Sequence, residues 1–76
     1  MNKRLPRLKP DEIIRAVERL GFYLARQSGS HKIYKNKKGM RITIPYHKGK
    51  ILHPKIIKSV LKDAEIDIDK LYELLR

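Results

Sequence analysis

The chain has 76 residues, no cysteine and a formal net charge of +11. A chain of this length has room for one domain with a small core, which we expect to span residues 1–76, and the lack of cysteine excludes disulfides and thiolate metal sites. The basic N-terminus lacks the apolar run of a signal peptide, and no segment is long enough to cross a bilayer, so we expect a soluble cytoplasmic protein.

The positive charge is concentrated in the middle of the chain. From Arg19 to Lys62 there are twelve lysines or arginines and no acid, and all eight acids lie outside this segment. Such a field attracts a polyanion, and nucleic acid is the leading candidate. An anionic membrane is disfavoured because the segment has the pattern of strands and not of a basic amphipathic helix. A merely solvated lysine-rich surface is disfavoured because glutamate is scarce.

The first predicted element is a helix over residues 10–20. Pro10 suits the first helical position and Gly21 suits the C-terminal stop. Between them, Ile13 and Val17 belong to an apolar stripe at helical spacing, which we expect to face the core.

Three short strands follow, separated by turn residues. The segment Ser28-Gly29-Ser30 has turn chemistry, residues 36–39 form a second turn, and Pro45 should end the third strand because it cannot donate to the ladder. The strands are predicted at residues 22–27, 31–36 and 40–44.

A second helix should begin at Pro54 and end near Ala64 or Glu65, after a basic loop over residues 46–52. Asp67 is expected to cap a short third helix. The side chains expected to pack this helix on the body are Ile68, Leu71, Leu74 and Leu75.

This order predicts an α+β fold with a three-stranded antiparallel sheet and helices on one face, plus a short C-terminal helix. The order α-β-β-β-α is that of the double-stranded RNA-binding domain, which grips an A-form duplex through its shape, phosphates and 2′-hydroxyls.

His31 is the candidate catalytic residue. Cleavage of RNA can use the 2′-hydroxyl as an internal nucleophile, so it needs a base and positive charge but no metal. A neutral histidine can act as that base near physiological pH, while basic side chains stabilise the phosphorane. The expected RNA-binding residues are Arg26, Lys32, Lys35 and Arg41 on the sheet, Lys48 and Lys50 on the following loop, and Gly29 and Ser30 in the turn.

Two residues allow more than one role. Tyr34 either stacks on a base or packs in the core, although we place it among the RNA contacts. His47 either binds a phosphate or donates a proton, or else its ring only braces the loop after Pro45.

Other chemistries are disfavoured. The histidines at 31, 47 and 53 lack metal-type spacing and lie among positive charges, so we expect no metal site. The basic segment offers no carboxylate to orient a serine triad, and it contains no phosphate-cradling glycine loop, so we expect no cofactor.

Four ordered motifs resemble the HicA-type toxins of prokaryotic toxin–antitoxin pairs. They are Gly21-Phe22, then Gly29-Ser30-His31 with Tyr34 three residues on, then Pro45-Tyr46-His47, then the helix Lys58-Ser59-Val60-Leu61-Lys62-Asp63-Ala64, and Leu5-Pro6 is similar as well. The resemblance implies a type II toxin with a double-stranded RNA-binding-like fold that cleaves messenger RNA without a metal. It also implies His31 as the catalytic residue and a HicB-like antitoxin as partner.

One position departs from the pattern of that family. Where the family often has Gly-Thr at the entrance to the second helix, this chain has Lys55-Ile56 after His53-Pro54. Two alternatives to a ribonuclease remain open at this point. One is a non-catalytic RNA-binding module that uses the same face, and the other is a protein whose basic face docks an acidic partner.

Overall fold

The computed structural model describes residues 4–76, so the first three residues of the basic N-terminal segment lie outside the described part. All six predicted elements are present in the predicted order, with ends displaced by at most one residue. They are α1 (Pro10–Arg19), β1 (Tyr23–Ser28), β2 (His31–Lys35), β3 (Arg41–Pro45), α2 (Pro54–Ala64) and α3 (Ile68–Leu75). Across residues 4–76, no helix is long and apolar enough to cross a membrane.

The first two helices begin with a hydrogen bond that satisfies a free backbone N–H. At α1, the Glu12 carboxylate accepts from the Lys9 backbone N–H at 2.9 Å. At α2, Nδ1 of His53 accepts from the Lys55 backbone N–H at 3.0 Å. The departure from the family pattern at Lys55-Ile56 is therefore compatible with a regular start of α2 at Pro54. A side-chain cap of this kind contributes about 1 kcal/mol.

The sheet has the order β1-β2-β3, and both strand pairs are antiparallel. On β2 and β3, alternate side chains pack against α1 and α2. Tyr34 pairs with Ile42 on that helix-covered face, and both are buried together with Ile44. The helix residues of the same core include Ile13, Val17, Ile57 and Val60.

The other face of the sheet, which we call the open face, carries no helix. His31, Ile33 and Lys35 alternate along β2 on this face. Ile33 is only 6% exposed, although it does not belong to the helix-side core. Its cross-strand partners are Arg26 and Thr43, so side chains of the open face itself shield it from water.

The third helix has a capped start and is attached to the domain by a buried leucine and by hydrogen bonds at its C-terminal end. Asp67 caps it as predicted, accepting from the Lys70 backbone N–H at 2.8 Å. Leu71 is completely buried. At the far end, the guanidinium of Arg19 donates to the carbonyl of Leu74 and, at 2.6 Å, to that of Arg76. A cation at these carbonyls satisfies acceptors that have no partner within the helix.

We predict that Leu71→Ala destabilises the whole domain and not α3 alone. Loss of a completely buried leucine costs about 2–5 kcal/mol, a large part of the stability of a domain of this size. Urea unfolding followed by circular dichroism measures the change. Glu73→Ala is the control, since Glu73 is exposed and only takes part in a surface ion pair with Lys70 at 3.5 Å. Equal urea midpoints of unfolding for the wild type and Leu71→Ala would contradict the claim that α3 is part of the cooperatively folded domain.

Candidate active site

The candidate site is built on the turn between β1 and β2. Ser28 pairs with His31, which leaves Gly29 and Ser30 as a two-residue hairpin turn. Gly29 has φ of +57°, whereas Ser30 is not among the described non-glycine residues with positive φ. This combination is that of a type II′ turn, in which glycine suits the first position. The Gln27 side chain donates to the Gly29 carbonyl at 3.0 Å and braces the turn.

His31 is the first residue of β2, and its exposed side chain lies on the open face. Its cross-strand partners are Ser28 on one side and Pro45 on the other. Within residues 4–76, no carboxylate or other side chain forms a hydrogen bond or ion pair with the imidazole. The ring is therefore free to accept a proton from a bound molecule.

Arg26 is the sheet cation nearest to His31 on the open face. It lies two residues before Ser28, diagonally across from His31, so the two Cα atoms are separated by about 7–8 Å. Arg26 lies on this face because the register of β1 shifts between Leu24 and Arg26. Leu24 pairs with Tyr34 on the helix-covered face, and without the shift Arg26 would lie there too.

Two further cations, Lys35 and Arg41, lie at the opposite end of the open face from His31. They are cross-strand partners, and Lys35 lies four residues along β2 from His31. Four residues of strand span about 13 Å. These two cations therefore lie at the far end of the open face from His31.

Two predicted RNA contacts lie on the helix-covered face. Tyr34 is 2% exposed and belongs to the core, so its prediction as an RNA-binding residue is wrong and the packing role is the observed one. Burial raises its pKa, with the charges of Glu18 and Asp11 contributing. Lys32 is half-buried and points its ammonium at the Tyr46 ring, 4.0 Å from the ring centre. This contact leaves Lys32 less available to RNA than the exposed cations.

Tyr46 connects the loop after β3 to both the hairpin and α1. Its backbone N–H donates to the Ser30 carbonyl at 2.6 Å, next to His31. A hydrogen bond to the Asp11 carboxylate raises the pKa of the Tyr46 hydroxyl, and partial burial and the charge of Asp11 raise it further. Sequence reasoning missed Asp11, because no local pattern shows that the start of α1 reaches this loop.

The loop beyond Tyr46 adds exposed basic groups at the His31 end of the sheet. His47, Lys48 and Lys50 are all exposed, and the Lys50 backbone N–H donates to the His47 carbonyl at 3.0 Å. Because Pro45 is the partner of His31, this loop begins beside the hairpin. The structure thus brings Arg26, Gly29, Ser30, His31 and the loop cations to one end of the sheet.

The fold and this cluster place the chain in a class of protein, that with the architecture of the double-stranded RNA-binding domain and a histidine on its open face. The helix-sheet-helix order is that of the double-stranded RNA-binding domain, and an exposed histidine lies at the basic end of its open face. Comparison with protein families then identifies the family: the model described as "HicA toxin of bacterial toxin-antitoxin" matches residues 10–66, from the start of α1 to two residues past α2. The chain belongs to the HicA toxin family.

Membership in this family assigns the chain to the toxins of toxin–antitoxin systems, with a nuclease role, RNA targets and a cognate antitoxin. A search among curated proteins found no match to the chain. The match to the family model confirms the resemblance to HicA-type toxins that the sequence motifs indicated.

We predict that Asp11 and Tyr46 stabilise the fold cooperatively below pH 10 and not above the raised pKa of Tyr46. The folded state holds the phenol proton more tightly than the unfolded state, whose tyrosine pKa is about 10. The contribution is therefore complete below pH 10 and is lost as the pH rises through the folded pKa, because a phenolate cannot donate to a carboxylate.

A double-mutant cycle of Asp11→Ala and Tyr46→Phe, followed by urea unfolding at several pH values, measures this coupling. The control cycle pairs Asp11→Ala with Tyr72→Phe, since the Tyr72 hydroxyl donates elsewhere, to the Arg4 carbonyl at 2.7 Å. Zero coupling at neutral pH, or coupling that persists unchanged at high pH, would show that the hydrogen bond does not act as described.

Proposed function

We propose that this chain is a metal-independent endoribonuclease that cleaves messenger RNA, with His31 as the general base, and that residues 1–76 act as a single HicA-like toxin domain. The observation that supports this best is the exposed imidazole of His31 at the basic end of the open face, which has no side-chain partner within residues 4–76, in a member of a toxin family.

In the proposed reaction, a neutral His31 takes the proton of the ribose 2′-hydroxyl. The 2′-oxygen attacks the adjacent phosphorus, and the bond from phosphorus to the 5′-oxygen breaks. The products are a 2′,3′-cyclic phosphate and a 5′-hydroxyl, which receives a proton from a general acid. His47 is a candidate for this acid, because its exposed ring lies on the loop that begins beside His31.

The cations have two roles in this proposal. Arg26 and the loop lysines at positions 48 and 50 are near enough to the hairpin to stabilise the charge that develops on the phosphorane. Lys35 and Arg41 bind phosphates further along the strand, and the backbone at Gly29 and Ser30 lets a phosphate oxygen approach the turn. Lys32 acts indirectly, through its contact with the Tyr46 ring.

The proposed partner, besides RNA, is a HicB-like antitoxin. The twelve positive charges between Arg19 and Lys62, with no acid among them, favour an acidic surface on that protein. An antitoxin that covers the open face would block both His31 and the phosphate contacts.

We predict that His31→Ala abolishes RNA cleavage and leaves folding and RNA binding intact. Loss of a general base reduces the rate about 10²–10⁴-fold, whereas an exposed side chain contributes little to stability. The measurement is cleavage of a labelled RNA in the presence of a chelator, with circular dichroism and filter binding on the same samples. Glu73→Ala, on the exposed side of α3, is the control for handling.

A substrate with 2′-deoxyribose at the cleaved position should bind but not react, since the nucleophile is missing. In cells, the wild type should arrest growth when expressed alone and not when expressed with its antitoxin, and His31→Ala should be harmless. Undiminished cleavage by His31→Ala would refute the proposed base. Salt-sensitive RNA binding without any cleavage product would favour a non-catalytic RNA-binding module instead.

We predict that Arg26→Ala and Lys35→Ala impair different steps. Arg26 is next to His31, so its loss should lower kcat about tenfold or more with a smaller change in KM. Lys35 is about 13 Å away, so its loss should raise KM and reduce the salt dependence of binding by roughly one phosphate contact, with kcat unchanged. Steady-state cleavage at several salt concentrations separates the two effects. The same change in kcat for both variants would contradict the assignment by position.

A further inference from the structure

An apolar groove lies between the start of α1, the end of β3 and the loop that leads to α2. Its volume is about 210 Å³. Pro10, Leu52 and Ile56 supply apolar lining, and Ile51 lies at its mouth with 52% of its surface exposed. We call this feature the loop groove. None of the residues placed in the cleavage reaction above needs such an apolar surface.

The loop groove adjoins the candidate active site. Pro45 lines it and is also the cross-strand partner of His31, so the two Cα atoms are separated by about 4.5–5.5 Å. The groove is therefore next to the end of the open face that carries His31.

The polar groups at the groove are all suited to RNA. His47, Lys50 and His53 line it, and no carboxylate does. Asp11, the nearest acid in sequence, is not among the residues that line the groove. An apolar groove flanked by two imidazoles and an ammonium group suits a nucleobase and its phosphate, since unpaired bases stack on histidine rings in RNA recognition and phosphates bind lysine.

The ring of His53 also provides a hydrogen-bond donor at a known atom. Its Nδ1 accepts from the Lys55 backbone N–H at 3.0 Å, so in the neutral ring the proton is on Nε2. Nε2 can therefore donate a hydrogen bond to an acceptor on the edge of a base, such as a carbonyl oxygen. The cap of α2 thus fixes the tautomer of a side chain that lines the groove.

We propose that the loop groove binds one unpaired nucleobase of the RNA, that of a nucleotide next to the scissile phosphate. The proposal rests on the function proposed above and adds a specificity site to it. The base would stack within the apolar groove, Lys50 would contact its phosphate, and His53 would favour bases with a carbonyl on the exposed edge. Cleavage would then depend on the identity of this base, beside the sequence-independent phosphate contacts of the open face.

Ile51→Ala is the most suitable variant, because Ile51 is exposed and its truncation should leave the fold intact. The experiment compares kcat/KM for short RNAs in which one position at a time, relative to the cleaved bond, is made abasic. For the wild type we expect a loss of at least tenfold at one position next to the cleaved bond. For Ile51→Ala we expect the loss at that position to fall below threefold. Ser59→Ala, on the exposed side of α2, is the matched control and should behave as wild type.

A second measurement does not depend on cleavage. Methyl resonances of Ile51 and Ile56 are followed in His31→Ala while a 2′-O-methyl oligonucleotide is added, with and without an abasic position. We expect shifts that need the base. If the wild type cleaves RNA but tolerates every abasic position, the groove proposal fails and the ribonuclease stands.

Two further outcomes would also overturn the groove proposal. An equal loss of kcat/KM by Ile51→Ala on all substrates would indicate a structural effect only. Shifts of the Ile51 and Ile56 methyl resonances with the antitoxin protein, but not with the oligonucleotide, would assign the groove to a protein partner. Conversely, base-dependent shifts in a protein that cleaves no RNA would support the groove and refute the ribonuclease.

Discussion

The hydrogen bond from the Tyr46 backbone N–H to the Ser30 carbonyl, 2.6 Å long, connects the two segments on which the candidate site depends. One segment is the hairpin with His31, and the other is the basic loop after β3. The Lys32 ammonium lies over the ring of the same tyrosine. The hydroxyl of that tyrosine interacts with Asp11 at the start of α1, which raises its pKa. Without this junction, an exposed loop of glycine and lysines would have no fixed position relative to the histidine.

A small core has to support this junction, and α3 contributes to that support. The family match ends at residue 66, before α3 begins, yet Leu71 is completely buried and Arg19 of α1 binds the carbonyls at the end of α3. The segment outside the family match therefore packs on α1, the helix whose start carries Asp11.

Much of the fold could be predicted from the sequence, because periodicity and turn chemistry are local. The three helices and three strands follow from apolar spacing, Pro10, Pro54, Asp67 and the Gly29 turn. The face of the sheet on which Tyr34 lies can be predicted as well. His31 and Tyr34 are three residues apart on one strand, so strict alternation places them on opposite faces. The same rule turns Lys32 away from His31.

Other features could not be predicted because they depend on irregular or long-range structure. The register shift between Leu24 and Arg26 places Arg26 on the open face. No residue type in β1 predicts this shift. The contact between Asp11 and Tyr46 joins residues far apart in sequence. Asp11 lies outside the acid-free segment in sequence, yet its interaction with the Tyr46 hydroxyl raises the pKa of that hydroxyl. Within residues 4–76 the His31 imidazole has no hydrogen-bond or ion-pair partner, and the segment around it is positive; the general base proposed above requires both conditions.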